Sequence, residues 1–137
     1  MKPRYLLDTS VYSQPLKKRP VTAALECWER AGDAACRVST VTLAEVEFGL
    51  SVEDNAKRRE RFQSLVEGRL EVIETDAATW LEFGARKARQ QRLGQPVSDL
   101  DLLIATCAVR HGLTVATLNS RDFARIEGVP WEDWSER

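Results

Sequence analysis

The sequence predicts an α/β domain in three layers, α/β/α, with a central, mainly parallel sheet of four or five strands, and three observations predict it. Short apolar runs alternate with longer segments whose apolar residues recur at helical spacing. The turn-formers Gly32, Gly94, Pro96 and Gly112 fall at the joints between them. No internal repeat, low-complexity tract or linker divides the 137 residues, so a single domain over 1–137 is expected.

Tyr5-Leu6-Leu7 reads as a buried strand that passes into a capped turn or helix at Asp8-Thr9-Ser10. Pro20 opens a helical segment carrying Val21, Ala24, Leu25, Trp28 and Ala31 on one stripe, and Gly32 closes it. Val38 to Val41 is the second expected strand, and Thr42 begins a helix with Leu43, Val46 and Leu50 on one face. From Asp54 to Glu67 charge dominates, but Phe62, Leu65 and Val66 stay together, which predicts an amphipathic surface helix. Leu70 to Ile73 is the third strand. Asp76 to Gln91 repeats Ala77, Leu81, Ala85 and Ala88 at helical spacing. The helix that Ser98 starts is the most apolar of the chain, so burial on more than one side is expected. His111-Gly112 ends it. Thr114 to Leu118 gives a fourth strand, Arg121 to Ile126 a short helix, and Val129-Pro130-Trp131 an edge strand where a proline is tolerable.

Composition narrows the function classes. At 43% apolar and 30% charged residues the chain is that of an ordinary globular domain, large enough to fold without disulfides or a structural metal. Its longest apolar run, Leu102 to Ala105, is far short of a membrane span, and a cytoplasmic protein with no membrane association is expected. Cys27, Cys36 and Cys107 are odd in number and far apart, as reduced core thiols are. A net charge of −1 argues against a pervasive positive field, yet Lys17-Lys18-Arg19, Lys57-Arg58-Arg59 with Arg61, and Arg86-Lys87 with Arg89 and Arg92 form three basic clusters. Taken singly, each is also what a solvated helix face looks like.

In open α/β sheets ligands bind beyond the carboxyl ends of the strands, and Asp8, Glu45 and Asp101 all arise at that edge. Each has a plain structural explanation. Asp8 suits a helix N-cap, while Thr42-Leu-Ala-Glu45 and Ser98-Asp-Leu-Asp101 both resemble capping boxes. Convergence favours chemistry, because independent caps have no reason to gather at one edge. Clustered carboxylates repel one another, and oxygen-only ligands suit Mg²⁺ or Mn²⁺, which in such sites assist phosphodiester hydrolysis with one or two ions. On this reading Asp8 and Asp101 are the primary ligands, and Glu45 is a ligand, directly or through water, or orients the attacking water. After the last central strand Asn119 and Asp122 close the site, with the acid completing a second metal position.

The residues LLDTS at 6–10, TLAE at 42–45, GQPVSDLDLLIATCAVRHGL at 94–113 and TLNSRDFARI at 117–126 together resemble a PIN-domain protein of the VapC toxin type. The likeness runs in order over nearly the whole chain. It implies a PIN-like fold and a Mg²⁺- or Mn²⁺-dependent endoribonuclease, homodimeric and silenced by a VapB-type antitoxin. It also implies metal-binding acids at Asp8 and Asp101 and an active-site glutamate at Glu45, and it separates Asp101 from Asp99, a helix-start residue or outer group. The chain departs from the family pattern at two places. Ser10 stands where the family often carries asparagine, and Asn119 stands where it often carries a fourth acid, which leaves Asp122 or Asn119 to complete the second metal position. The competing reading is a weakly catalytic or non-catalytic PIN-like subunit that dimerises and regulates transcription through a DNA-binding antitoxin. His111, beside Gly112, reads as a helix-end dipole partner rather than a base. Trp131 and Trp134 read as packing or dimer contacts rather than base-stacking residues.

Overall fold

Tyr5, Leu6 and Leu7 are apolar without interruption, and they form the central strand β1 (Tyr5–Leu7) of the computed structural model, which describes residues 2–136. Around it lie β2 (Cys36–Ser39), β3 (Glu71–Ile73), β4 (Thr114–Thr117) and β5 (Trp131–Asp133) in the order β3-β2-β1-β4-β5, every pairing parallel. Parallel neighbours require crossovers, and the helices supply them. These are α1 (Thr9–Tyr12), α2 (Thr22–Ala31), α3 (Thr40–Glu53), α4 (Ala56–Leu65), α5 (Ala77–Arg92), α6 (Asp99–Arg110) and α7 (Ser120–Ala124), with 3-10 turns at Gln14–Leu16 and Asp33–Ala35.

Strand alternation divides the core between the two faces of the sheet. Tyr5, Leu7, Cys36, Val38 and Ala116 join Trp28, Val46 and Leu50 on one side. Leu6, Val115 and Ile73 meet Leu102, Leu103, Ile104 and Phe123 on the other. Residues Leu102 through Ala108 of α6 are all buried, as its unbroken apolarity requires. Gly112, at φ 66°, makes the left-handed turn that carries α6 into β4, a conformation that a side chain disfavours. No helix among the described residues is long and apolar enough to cross a membrane.

Several boundaries differ from expectation by a residue or two, and three of them have a local physical reason. The second strand spans Cys36–Ser39, two residues earlier than the apolar run suggests, because Ser39 accepts a hydrogen bond from the Thr42 amide and starts α3 at Thr40. The charged helix is α4, confined to 56–65, since Asp54 turns left-handed at φ 48° and Asn55 caps the next helix. The edge strand begins at Trp131, because Pro130 has no N–H to give; its carbonyl still accepts from Val115 at 3.0 Å.

Candidate active site

β1 ends at Leu7, and the next residue, Asp8, caps α1 while lying only 2% exposed. The Ser10 hydroxyl donates to its Oδ1 at 2.6 Å, the Thr117 hydroxyl to its Oδ2 at 2.7 Å, and the Val11 amide to Oδ1 at 3.3 Å. Burial pushes the Asp8 pKa up to about 6; these three hydrogen bonds oppose the rise, and the charge of Asp101 adds to it. Ser10 therefore does bond the first acid, as its position suggests, and its oxygen also accepts from the Leu118 amide at 2.9 Å, tying β4's exit to Asp8.

Glu45 lies in the second turn of α3. With the cap at Ser39 it is too far along the helix to complete a capping box, so that structural explanation of Glu45 falls. Its Oε1 instead accepts from the Thr9 hydroxyl at 2.5 Å, and Thr42 Oγ1 stands 3.1 Å from the same Thr9 oxygen. Asp101 keeps its structural duty: its amide donates to Ser98 Oγ at 3.2 Å in the first turn of α6. Its carboxyl is nonetheless half-buried and titrates above the ordinary range. Burial is the main cause, a Ser98 hydrogen bond opposes it, and the charges of Asp122 and Glu45 add to it.

Asp8 therefore feels Asp101, and Asp101 feels Asp122 and Glu45. Four carboxylates, Asp8 at the cap of α1 and Glu45, Asp101 and Asp122 within α3, α6 and α7, share one electrostatic neighbourhood at the carboxyl edge of the sheet. Asn119 differs from Asp122: it is exposed, its side chain makes no cap bond, and its backbone amide donates to Thr117 Oγ1 at 2.8 Å. Sequence reasoning does not single out Thr9 or Thr117. The register that aligns Leu7 with Ala116, and so puts Thr117 beside Asp8, is invisible before the sheet is paired.

The residues set aside stay outside. Asp99 is held by Lys87 at 3.0 Å. The His111 ring lies 2.9 Å from the Cys107 carbonyl at the end of α6. Cys27, Cys36 and Cys107 are buried free thiols, and burial pushes Cys36 and Cys107 up to about 11. Trp134 is buried with its ring edge-on to Tyr5 at 5.1 Å.

Among the described residues no three His, Cys, Asp or Glu side chains form a closed metal cage. The donors at this edge are carboxylate oxygens, which suit a hard cation, and Mg²⁺ takes one or two carboxylates and fills its remaining positions with water and substrate phosphate. Asp8 and Asp101 could hold such an ion, and a cation there would offset the burial that chiefly raises both and the neighbouring charges that add to it.

The PIN domain family matches residues 5–129 of the chain. A tRNA(fMet)-specific endonuclease VapC from Shigella flexneri is 33% identical over 96% of this chain and 98% of its own length. A DNA-bound VapBC structure from Salmonella typhimurium superposes with a TM-score of 0.81 at 31% identity, over 96% of this chain and 98% of the other. FitAcB from Neisseria gonorrhoeae shares the fold at a TM-score of 0.85 and 24% identity, over 95% and 97% of the two chains.

Proposed function

The chain belongs to the PIN-domain family, among its VapC-type members, and on that premise we propose that it is the toxin of a type II toxin–antitoxin pair. It acts as a single cytoplasmic PIN domain, an endoribonuclease that depends on Mg²⁺, with Mn²⁺ as a substitute. The carrying observation is the carboxyl edge of the sheet, where Asp8 lies buried and held by Ser10, Thr117 and the Val11 amide, and the adjacent Thr9 holds Glu45.

Asp8 and Asp101 would hold the ion, and Asp122, ahead of Asn119, the second position. A bound divalent cation would neutralise these acids and the phosphate under attack. The chain's own residues do the rest. Ser10, Thr117 and the Val11 amide fix Asp8 in one orientation, so it meets its ligand without reorganising. Thr9 occupies Oε1 of Glu45 and leaves Oε2 to take a proton from the attacking water. Attack on phosphorus breaks the bond to the 3′ oxygen, which gains a proton and leaves 3′-hydroxyl and 5′-phosphate ends.

Exposed Phe48, Val52, Trp80, Leu81 and Leu100 support the partner reading, a second copy of the chain and a VapB-type antitoxin. A groove of about 740 Å³ runs along Val41, Ala44, Phe48, Trp80 and Leu103 to Thr9 and Glu45, so a bound antitoxin segment would end beside the acids. The DNA-bound relative and the Asn119 departure favour a second reading, a PIN-like subunit with little cleavage of its own.

The test is incubation of antitoxin-free protein with total RNA and Mg²⁺ or Mn²⁺, beside Asp8→Asn and Asp101→Asn. Each substitution is expected to lower cleavage at least about a hundredfold, since each removes a ligand rather than a supporting bond. Equal cleavage by all three proteins would refute the assignment, and no cleavage by any of them would favour the second reading.

A further inference from the structure

The basic clusters differ in what they face. Arg86, Lys87 and Arg89 are matched by Glu82, Asp99 and Glu127, so that run is a neutralised helix face. Lys17, Lys18, Lys57, Arg58 and Arg61 instead line a cleft of about 1180 Å³ between the 14–19 segment and α4, with only Glu53 and Glu60 opposing them. Glu53 is taken by Arg58 at 2.7 Å. Lys17, Lys18 and Lys57 make no ion pair among the described residues, and the buried Nε of Arg58 finds no acceptor there. Like charges gathered without partners repel, a cost that a polyanion removes.

The cleft is tied to the acids by hydrogen bonds as well as by the chain. Gln14, itself buried, donates to the Ser10 carbonyl at 2.8 Å and accepts from the Val21 amide at 2.7 Å, which staples the basic arm to the residue whose hydroxyl holds Asp8. Arg61 Nε donates to the Pro15 carbonyl at 2.8 Å and fastens the same arm to α4. Position in the cleft is thus fixed relative to Asp8.

We infer that this cleft carries the phosphate backbone of the RNA strand beside the bond to be cut, a binding site distinct from the carboxylate centre. The inference rests on the endoribonuclease reading. A polypeptide partner fits less well, because exposed Leu65 and buried Leu16 are the only large apolar side chains of the lining. Phosphates meet Lys17, Lys18, Lys57 and Arg61 there, beside the Arg58 that Glu53 already pairs.

The test uses the full chain carrying Asp8→Asn, with and without Lys17→Gln, Lys18→Gln and Lys57→Gln, three exposed residues whose change should leave thermal unfolding unaltered. Binding of a labelled single-stranded RNA of about 20 nucleotides is followed by anisotropy over a salt series. Losing three phosphate contacts should weaken binding at least about tenfold and flatten the plot of log Kd against log salt by roughly 2. With Asp8 restored, the lysine variant should cut with a raised KM and little changed kcat. Unchanged salt dependence and KM would overturn the assignment. So would RNA binding that survives while binding of polyglutamate is lost, which would mark a protein-docking surface. Lysine-dependent RNA binding without any cleavage by the parent chain would remove the nuclease reading and keep the cleft, whereas cleavage with an unaltered salt slope would do the reverse.

Discussion

Burying Asp8 among Ser10, Val11 and Thr117 fixes the carboxyl proposed as a metal ligand and weakens the fold at the same time. Its pKa is raised to about 6 in the folded chain, so the folded state holds the proton more tightly than the unfolded one. The sign follows: in metal-free protein this group's contribution is most favourable below about pH 4 and is lost as pH rises through about 6. Asp8→Asn should therefore stabilise the metal-free protein at about pH 7.5, by up to about 3 kcal/mol, and bring no such gain at about pH 4. Denaturant unfolding at both pH values checks this; destabilisation at the higher pH would mean that the hydrogen bonds outweigh desolvation. Ser10, and through the N-cap reading of Asp8 the Val11 amide, are legible in the sequence. Thr117 lies 109 residues from Asp8, and strand register alone brings them together.

At the scale of elements, a single cap decides what Glu45 is. Both Ser39 and Thr42 suit an N-cap, and local spacing favours Thr42 because it gives Glu45 a capping-box role. The structure chooses Ser39, since β2 must stop at the residue paired with Ile73 at the end of β3. The helix starts earlier, and Glu45 is left to Thr9. Ser39→Ala is expected to cost about 1 kcal/mol in unfolding experiments, with a fall in RNA cleavage because α3 aims Glu45. Thr42→Ala, which leaves the Ser39 cap intact, should cost less. A larger loss from Thr42→Ala than from Ser39→Ala would place the cap at Thr42. Helices α5 and α6, whose apolar spacing is long and regular, need no such arbitration.

For the whole molecule, the acids come from the β1–α1 junction and three further helices that follow or precede different strands, and any ion they share links those elements. Millimolar Mn²⁺ should raise the Tm in a concentration-dependent way, because a ligand that binds only the folded chain shifts unfolding by mass action. Asp101→Asn should abolish most of that rise, and a rise unaffected by the substitution would put the ion elsewhere. The sequence by itself determined the alternation of strands and helices, the apolar faces, and the identity of Asp8 and Asp101 as edge acids, because periodicity and turn chemistry are local. Tertiary structure alone decided that Glu45 answers to Thr9, that the charge of Asp122 reaches Asp101, and that Lys17, Lys18 and Lys57 share one cleft. The physical reason is common to all three. Contacts between residues far apart in the chain are set by sheet order and register, which no local pattern encodes.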